Sequence, residues 1–562
     1  MKKILYSTFI LFFIGIQSIY GQWQNLQNSY PIVSLDTTTN YKSVTTSDGK
    51  TFVAYLKPVA APVNFELRVQ LVDFEGFRLF GDNGKLVNNA ISQSMLVGDW
   101  DITLDTADNL IVVLNTYVPP YRVYVHKINL AGDNVWNPAG VVIGNGNLPK
   151  VQALKNGEIL VSWRPTSQGK SVLQLLNAAG VVQWAIPQTI SATSVSLNAS
   201  QTRAFHELSN GDFIVLFTET VGTTNALKLY ARRFAATSGD PLWSGPVQLS
   251  GTSLNIIPVL RISPEKDTIY LGYTAPSGSF TNAYVQRLHP DGTLPWGLNG
   301  RDFDIRTGIY QERDISIAHE PTGDQIWASC TYSNADLTKT GEYIQKFSKN
   351  TGTRIFSDSA RVFLGVTSSI LHHREGDIRV VKNHLLFNYR LQVSPNSSTS
   401  VYVFSLDSTG TIVDYQLRIG GSSNNITLSQ QNEVVNNQAV STWVENTNSV
   451  GYPRVMANRS TCNFPDSVSF QTIENNGYVS LKINYPSIKY YYNSIDFGEG
   501  YEIGSNQYYT YQYEGTYDIC MKIKTLCNDS MTYCRQIQIE CDTPTYMICK
   551  SDTITVFLSP ST

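Results

Sequence analysis

Tyr121-Arg-Val-Tyr-Val-His-Lys-Ile-Asn-Leu-Ala-Gly-Asp-Asn-Val-Trp136 holds the pattern that decides the fold. Residues 121–130 alternate as a strand, Gly132 supplies a tight turn, and four residues after the glycine a large aromatic opens the next strand. The same spacing recurs at Gly76–Phe80, Gly180–Trp184, Gly239–Trp243, Gly292–Trp296 and Gly352–Phe356, with a degenerate copy at Gly410 whose Tyr415 stands one place late. Between these copies lies a second element, a polar turn followed by an apolar strand: Gly49-Lys-Thr-Phe-Val-Ala-Tyr, Asn109-Leu-Ile-Val-Val-Leu, Gly157-Glu-Ile-Leu-Val-Ser-Trp and Gly211-Asp-Phe-Ile-Val-Leu-Phe. It continues at Asp267, Gly323, Asn383 and Asn437, making eight copies about 48 to 60 residues apart. A fixed period of that length, with two hairpins per repeat, predicts four-stranded blades.

The expected fold is therefore all-β: an eight-bladed β-propeller over residues 22–460, with seven blades as the alternative count. Eight third strands are visible, the last being Tyr452-Pro-Arg-Val-Met-Ala-Asn458, but only seven are followed by an outer strand in register. Trp23-Gln-Asn-Leu-Gln-Asn-Ser-Tyr-Pro-Ile-Val33 resembles the outer strand led by Trp136, so it is assigned to the last blade, closing the ring and leaving no open edge. The repeated aromatics Trp23, Phe80, Trp136, Trp184, Trp243, Trp296 and Phe356 read as wedges between neighbouring sheets rather than as ligand platforms.

The chain has 562 residues, 42 basic and 45 acidic, for a net charge of −3, and no long run of one sign. A phosphate-binding surface would show as a basic stripe, so nucleic acid is not an expected partner. Lys2 and Lys3 precede an apolar run from Ile4 to Ile16 and then Ser18-Ile-Tyr-Gly21, the order of a secretory signal peptide over residues 1–21. No later segment is apolar enough to span a bilayer, so the mature chain is expected to be secreted or held at the cell surface, on the exterior of the outer membrane. Six of the seven cysteines (Cys462, Cys520, Cys527, Cys534, Cys541 and Cys549) crowd into the last part of the chain and imply disulfides in a small extracellular module. One candidate bridge joins Cys527 to Cys534 across a hairpin loop, among fifteen connectivities. Cys330 is expected to be a buried thiol outside that framework. With no Cys-x-x-Cys pair, and no histidine after His384, zinc is not expected.

From Cys462 onward the repeat stops. Ile495-Asp-Phe-Gly-Glu-Gly500, Tyr509-Thr-Tyr511, Gly515-Thr-Tyr517 and the strand Ile519-Cys-Met-Lys-Ile-Lys524 follow one another here. In order and spacing they resemble the PKD domain, an immunoglobulin-like β-sandwich of bacterial extracellular proteins. Ile495 stands where that family has Trp, and Glu499 where it has a second Asp. The resemblance implies a sandwich over 461–545, with Asp496 and Glu499 shaping a turn in preference to binding calcium. Residues 546–562 form a tail in which Ser551-Asp-Thr-Ile-Thr-Val-Phe-Leu558 resembles the opening strand of the sorting domain of type IX secretion substrates, or else supplies a last strand to the module. The layout as a whole is similar to surface proteins of bacteria that use that route.

No catalytic constellation is legible. The histidines His126, His206, His289, His319, His372, His373 and His384 are scattered, and the adjacent His372 and His373 would alternate to opposite faces of a strand beside Glu375 and Asp377. His289-Pro-Asp-Gly-Thr-Leu-Pro-Trp296 is similar to the structural box of sialidase propellers, but Asp291 abuts Gly292 and breaks the spacing. Asp99, Asp101, Asp105, Asp314 and Glu375 lie near first strands, where a central funnel would gather them. No catalytic, cofactor or metal residue is assigned. The function expected is binding or adhesion, with the propeller as platform for a protein or glycan ligand. The alternatives are a carbohydrate-active hydrolase working in the funnel and a structural component of an exported surface complex.

Overall fold

The computed structural model describes residues 33–558 apart from single positions and short stretches, the longer of which are 93–99, 194–198, 393–398, 421–425, 432–436, 447–452, 463–467, 485–491 and 543–547. Within these bounds the chain is all-β and folds as a β-propeller followed by two further sheets. Blade 1 is an antiparallel meander of Asn40–Thr45, Thr51–Val59, Asn64–Val72 and Lys85–Ser92. The unit then repeats. Blades 2 and 3 share one 13-residue strand, Val141–Ala153, which is the outer strand of the first and the inner strand of the second. Blades 4, 5 and 6 begin at Ser200–Glu207, Leu260–Glu265 and Gln311–His319. In blade 7 the inner strand is broken into Leu371–Arg374 and Arg379–Val381, both paired with His384–Gln392. The eighth unit has three described strands, Ile426–Gln431, Gln438–Asn446 and Pro453–Thr461.

The second strands of blades 1 to 4 are buried on both faces along their first five residues or more, which is why those sequences open as mostly apolar runs. Leu110–Asn115 is buried at every position. One face of blade 1 (Phe52, Ala54, Leu56) packs on Leu110, Val112 and Leu114 of blade 2, while the opposite face of blade 2 (Ile111, Val113) packs on Ile159, Val161 and Trp163 of blade 3. Alternation along a single strand thus serves two neighbours at once.

The glycine–aromatic repeat works between blades, not within one. Trp136 of blade 2 lies against Gly180 in the third-to-fourth-strand turn of blade 3, where a Cβ would stand 2.8 Å from the indole Cδ2. Gly180 also has φ +81°, so a side chain there would be strained as well as crowded. Phe80 meets Gly132, Trp184 meets Gly239, Trp243 meets Gly292, Trp296 meets Gly352 and Phe356 meets Gly410 in the same way. The Trp136 and Trp243 indoles each donate to a carbonyl two residues before the partner glycine, at Ala178 (3.0 Å) and Pro290 (3.2 Å). Phe80, Trp184 and Trp296 are buried, and Trp136, Trp243 and Phe356 half-buried.

Blade 1 also packs on the eighth unit. Val33, Tyr41, Val53, Tyr55 and Val72 form one cluster with Val440, Val444, Val455 and Ala457. The Tyr41 hydroxyl donates to the Thr442 carbonyl at 2.6 Å, and the Val33 amide to the Val455 carbonyl at 2.8 Å. The segment assigned to ring closure therefore reaches its proposed partner strand at Val33; Trp23 and the signal segment 1–21 lie outside the described residues.

After Thr461 come a four-stranded and a five-stranded antiparallel sheet, an arrangement compatible with a small sandwich. Its core holds Ile495, Phe497, Tyr511, Ile519, Met521 and Ile523. The Gly498 amide donates to the Asp496 carboxylate at 2.8 Å in a turn; Glu499 lies outside the described residues. Val556–Leu558 pairs with Val468–Asn475, so the tail supplies an edge strand here. Among the described residues two disulfides are present, Cys462–Cys527 and Cys520–Cys534. The hairpin bridge between Cys527 and Cys534 does not form. Cys520 and Cys534 are direct cross-strand partners with Cα atoms 4.0 Å apart, and Cys527, on the loop between those strands, turns to Cys462 at the end of the propeller. Cys541 and Cys549 share a rung of the same sheet. Cys330 stands outside these bridges, fully buried, with its thiol donating to the Arg313 carbonyl at 3.1 Å.

Candidate functional site

In a meander propeller the first strand of each blade is innermost, and its side chains converge toward those of its neighbours. Counting back from the first turn aligns the blades. Thr45, Leu104, Ala153 and Pro264 face Thr51, Leu110, Ile159 and Ile269, which begin the apolar runs of the second strands. Three residues before these stand Lys42, Asp101, Lys150 and Arg261. One rung of the inner strands is thus charged in blades 1, 2, 3 and 5. In blade 4 that rung holds Ala204, and the ladder skips the adjacent Arg203 in a bulge. In blade 6 it holds Ser316, below a bulge that skips Asp314, an exposed residue with φ +50°; Arg313 beside it is also exposed.

Side chains from three successive blades meet on this rung. Asp101 pairs with Lys42 at 3.2 Å on one side and with Lys150 at 3.5 Å on the other. The Lys42 ammonium also lies 5.6 Å from the centre of the fully buried Trp100 ring. Burial alone would raise the Asp101 pKa, but the two ammonium groups outweigh it and hold the carboxyl below its ordinary value. Burial lowers the Lys42 pKa, against the attraction of Asp101. Farther round, Arg203 Nε donates to Thr218 Oγ1 at 3.0 Å and Arg164 Nε to Asn147 Oδ1 at 3.3 Å, both neutral acceptors. Burial, then the charge of Arg164, pushes the Arg203 pKa down to about 10, which leaves it a cation at neutral pH.

Of the three carboxylates read from the sequence that lie among the described residues, Asp101 and Asp314 belong to this region. Asp105 accepts the Ala107 and Asn109 amides in the first turn of blade 2 and pairs with Lys127 at 2.8 Å, a structural role. Asp99 and Glu375 lie outside the described residues. His126 is buried between Asn88 and Asn134, and burial pushes its pKa down to about 4. His206 and His384 contact the Lys266 and Lys382 carbonyls, His319 contacts Ser263, and His289 sits in a turn. His372 and His373 occupy consecutive positions of one strand. Among the described residues no group of three or more His, Cys, Asp or Glu is placed to hold a metal.

The acidic residues that do come together were not singled out from the sequence. Asp302 and Asp304 follow the third strand of blade 5, and Glu312 opens the inner strand of blade 6. The Tyr332 hydroxyl donates to Asp304 and lies 3.4 Å from Glu312, which also accepts the Ala283 amide of blade 5 at 2.8 Å. Burial drives the Asp302 pKa up to about 6 and, helped by Asp304 and Asp302, lifts Glu312 well above the usual carboxylate range. Glu312 is 3% exposed and Asp304 1%, while Asp302 is half-buried, so the two deepest carboxyls of the cluster serve to join two blades. A second lock joins blades 3 and 4, where the fully buried Glu219 accepts Lys170 at 2.7 Å and the Ala192 amide at 2.6 Å. No spacing in the sequence marks either cluster, because the partners lie on different blades.

No family model matches this chain, and neither does any curated protein. Among solved structures it is similar to a polysaccharide lyase of family PL25, an ulvan lyase, at 8% identity over 76% of this chain and 94% of that one, with a TM-score of 0.39. It is also similar to the polysaccharide lyase Uly1 (10% identity, 76% and 100% covered, TM-score 0.43) and to the Dos1 propeller (12%, 76% and 94%, 0.43). At these identities and scores nothing of their activities passes to this chain.

Proposed function

We propose that this chain is a secreted or cell-surface binding protein. Residues 22–460 form the ligand platform and the PKD-like module over 461–545 is a tethered spacer or accessory binder. The observation that carries this reading is the charged rung on the inner strands, where side chains of three blades meet in a partly open ring. Of the carboxyls brought close together, Asp304 and Glu312 are buried and bonded between blades, whereas a hydrolase needs two carboxyls facing a concave pocket. The two disulfides suit an oxidising compartment, and no helix among the described residues is long and apolar enough to cross a membrane. Export through the signal segment 1–21, and a sorting remnant in the tail, belong to the same proposal.

Its test is an array of glycans and surface proteins probed with the purified mature chain, run beside a glycosidase and lyase screen. Saturable binding without turnover is the expected result. Turnover of any polysaccharide would replace this reading with the carbohydrate-active one. Stable co-purification from the native host in an assembly, with no array ligand, would favour a structural component.

A further inference from the structure

We propose, resting on that reading of the propeller as a platform, that the inner-strand ring is an anion site for the carboxylate or sulfate groups of an acidic polysaccharide. Lys42, Lys150, Arg261 and the bulged Arg203 come from four different blades, and the exposed Arg313 lies on the inner strand of a fifth. On the rung itself the described carboxylate is Asp101, already shared by two lysines; elsewhere on the same strands Glu207 accepts the Lys155 amide, Glu265 pairs with Lys349, the buried Glu312 accepts the Ala283 amide, and Asp314 stands beside Arg313. The excess of cations is thus confined to the rung among the described residues, in a chain whose overall net charge is −3.

Arg203 and Arg164 sharpen the case. They are close enough for the charge of one to depress the pKa of the other, yet among the described residues neither pairs with a carboxylate. Two half-buried like charges repel each other and are costly to desolvate, and a bound anion relieves both terms. Guanidinium groups suit that role, since their fork matches the two oxygens of a carboxylate or sulfate. Asp101 acts in this scheme as an internal anion that holds Lys42 and Lys150 in position and competes with the ligand. A polyanionic glycan fits better than a nucleic acid. Nucleic acids are gripped through a long row of phosphates along a basic stripe, whereas these cations form a short ring in a chain that is acidic overall.

The experiment titrates the full mature chain with oligoglucuronate, sulfated dextran oligomers, neutral dextran oligomers and a single-stranded oligonucleotide of matched charge, at low and physiological salt. One or both acidic oligosaccharides should bind, more weakly as salt rises, and neutral dextran should not. Arg203→Gln should weaken binding about tenfold, and Arg261→Gln, at an exposed position that leaves folding intact, by a few-fold. Asp101→Asn should tighten it several-fold, a gain that mere structural damage does not produce. Whether uronate or sulfate wins identifies the anionic group. Equal affinity of the variants, or no preference over neutral dextran, overturns the anion site while leaving a glycan-binding platform standing. Tighter binding of the oligonucleotide overturns it in favour of a nucleic-acid partner. If no oligosaccharide binds, the site is refuted, and the protein arm of the array decides the platform separately.

Discussion

The propeller and the C-terminal module solve the same problem differently. Each blade is too small to bury two apolar faces alone, so it borrows its neighbours, and each aromatic in six described pairs fills the space left by a glycine in the next blade. The module has no repeating neighbour. Its core is one cluster around Ile495, Phe497 and Met521, and covalent bonds supplement it. One of those bonds, Cys462–Cys527, runs from the end of the last blade into the module, and Lys382 of blade 7 adds contacts to the Cys462 carbonyl at 2.8 Å and to Asp529 at 3.3 Å. Where repetition ends, cross-links take over, because a small unit buries too little surface to be secure alone.

The sharpest way to break this contrast is to open the ring. Deleting residues 22–33 should expose the edge of Pro453–Thr461 and the apolar cluster around Val33, Val440 and Val455, giving aggregation and a melting temperature lower by ten degrees or more. The six pairs leave Gly76 of blade 1 for Trp23 of the last blade, so Trp23→Ala should reproduce part of that loss. Size-exclusion chromatography and calorimetry check both. An unchanged monomer with an unchanged melting temperature would refute non-covalent closure.

Breaking the tether comes next. Cys462→Ser with Cys527→Ser removes a bridge spanning 65 residues, which costs roughly 4 kcal/mol on the chain-entropy account. The loss should fall on the module, seen as a separate low-temperature unfolding step while the blades melt as before. A thiol count under denaturing, non-reducing conditions should find one reactive group, Cys330, because Cys541 and Cys549 are register partners on adjacent strands.

Gly180→Ala probes the propeller side. A side chain at φ +81° meeting the Trp136 indole should cost about 2–4 kcal/mol, measured by denaturant unfolding, and Trp136→Leu in the same chain should recover part of it. The smallest effect is a pH dependence. The Glu312 carboxyl holds its proton in the folded state far beyond the usual range, so as pH rises the unfolded chain releases that proton first. Its contribution is fully present at acid pH and declines as pH rises from the usual carboxylate range toward the raised folded pKa. Glu312→Gln should flatten that decline in melting temperature measured from pH 5 to 9.

The sequence by itself determined the all-β class, the period of the blades, the turn glycines and the place where the repeat stops. Each of these is written in residues a few positions apart, through alternation, turn chemistry and spacing. The approach of the N-terminal segment to the last blade was legible for a related reason, since a missing strand in a regular count must be supplied from somewhere. Only the tertiary structure decided that Trp136 serves Gly180 of the next blade, that Cys527 turns to Cys462 and not to Cys534, and that Asp302, Asp304 and Glu312 meet. It alone brought Lys42, Asp101 and Lys150 onto one ring. Trp136 and Gly180, Lys42 and Asp101, and Asp101 and Lys150 stand roughly fifty residues apart, and Glu312 lies across a blade boundary from Asp302 and Asp304, so each set meets only when one sheet stacks on the next. A strand's own sequence records which of its faces is apolar, while the residue it meets across that face belongs to another blade.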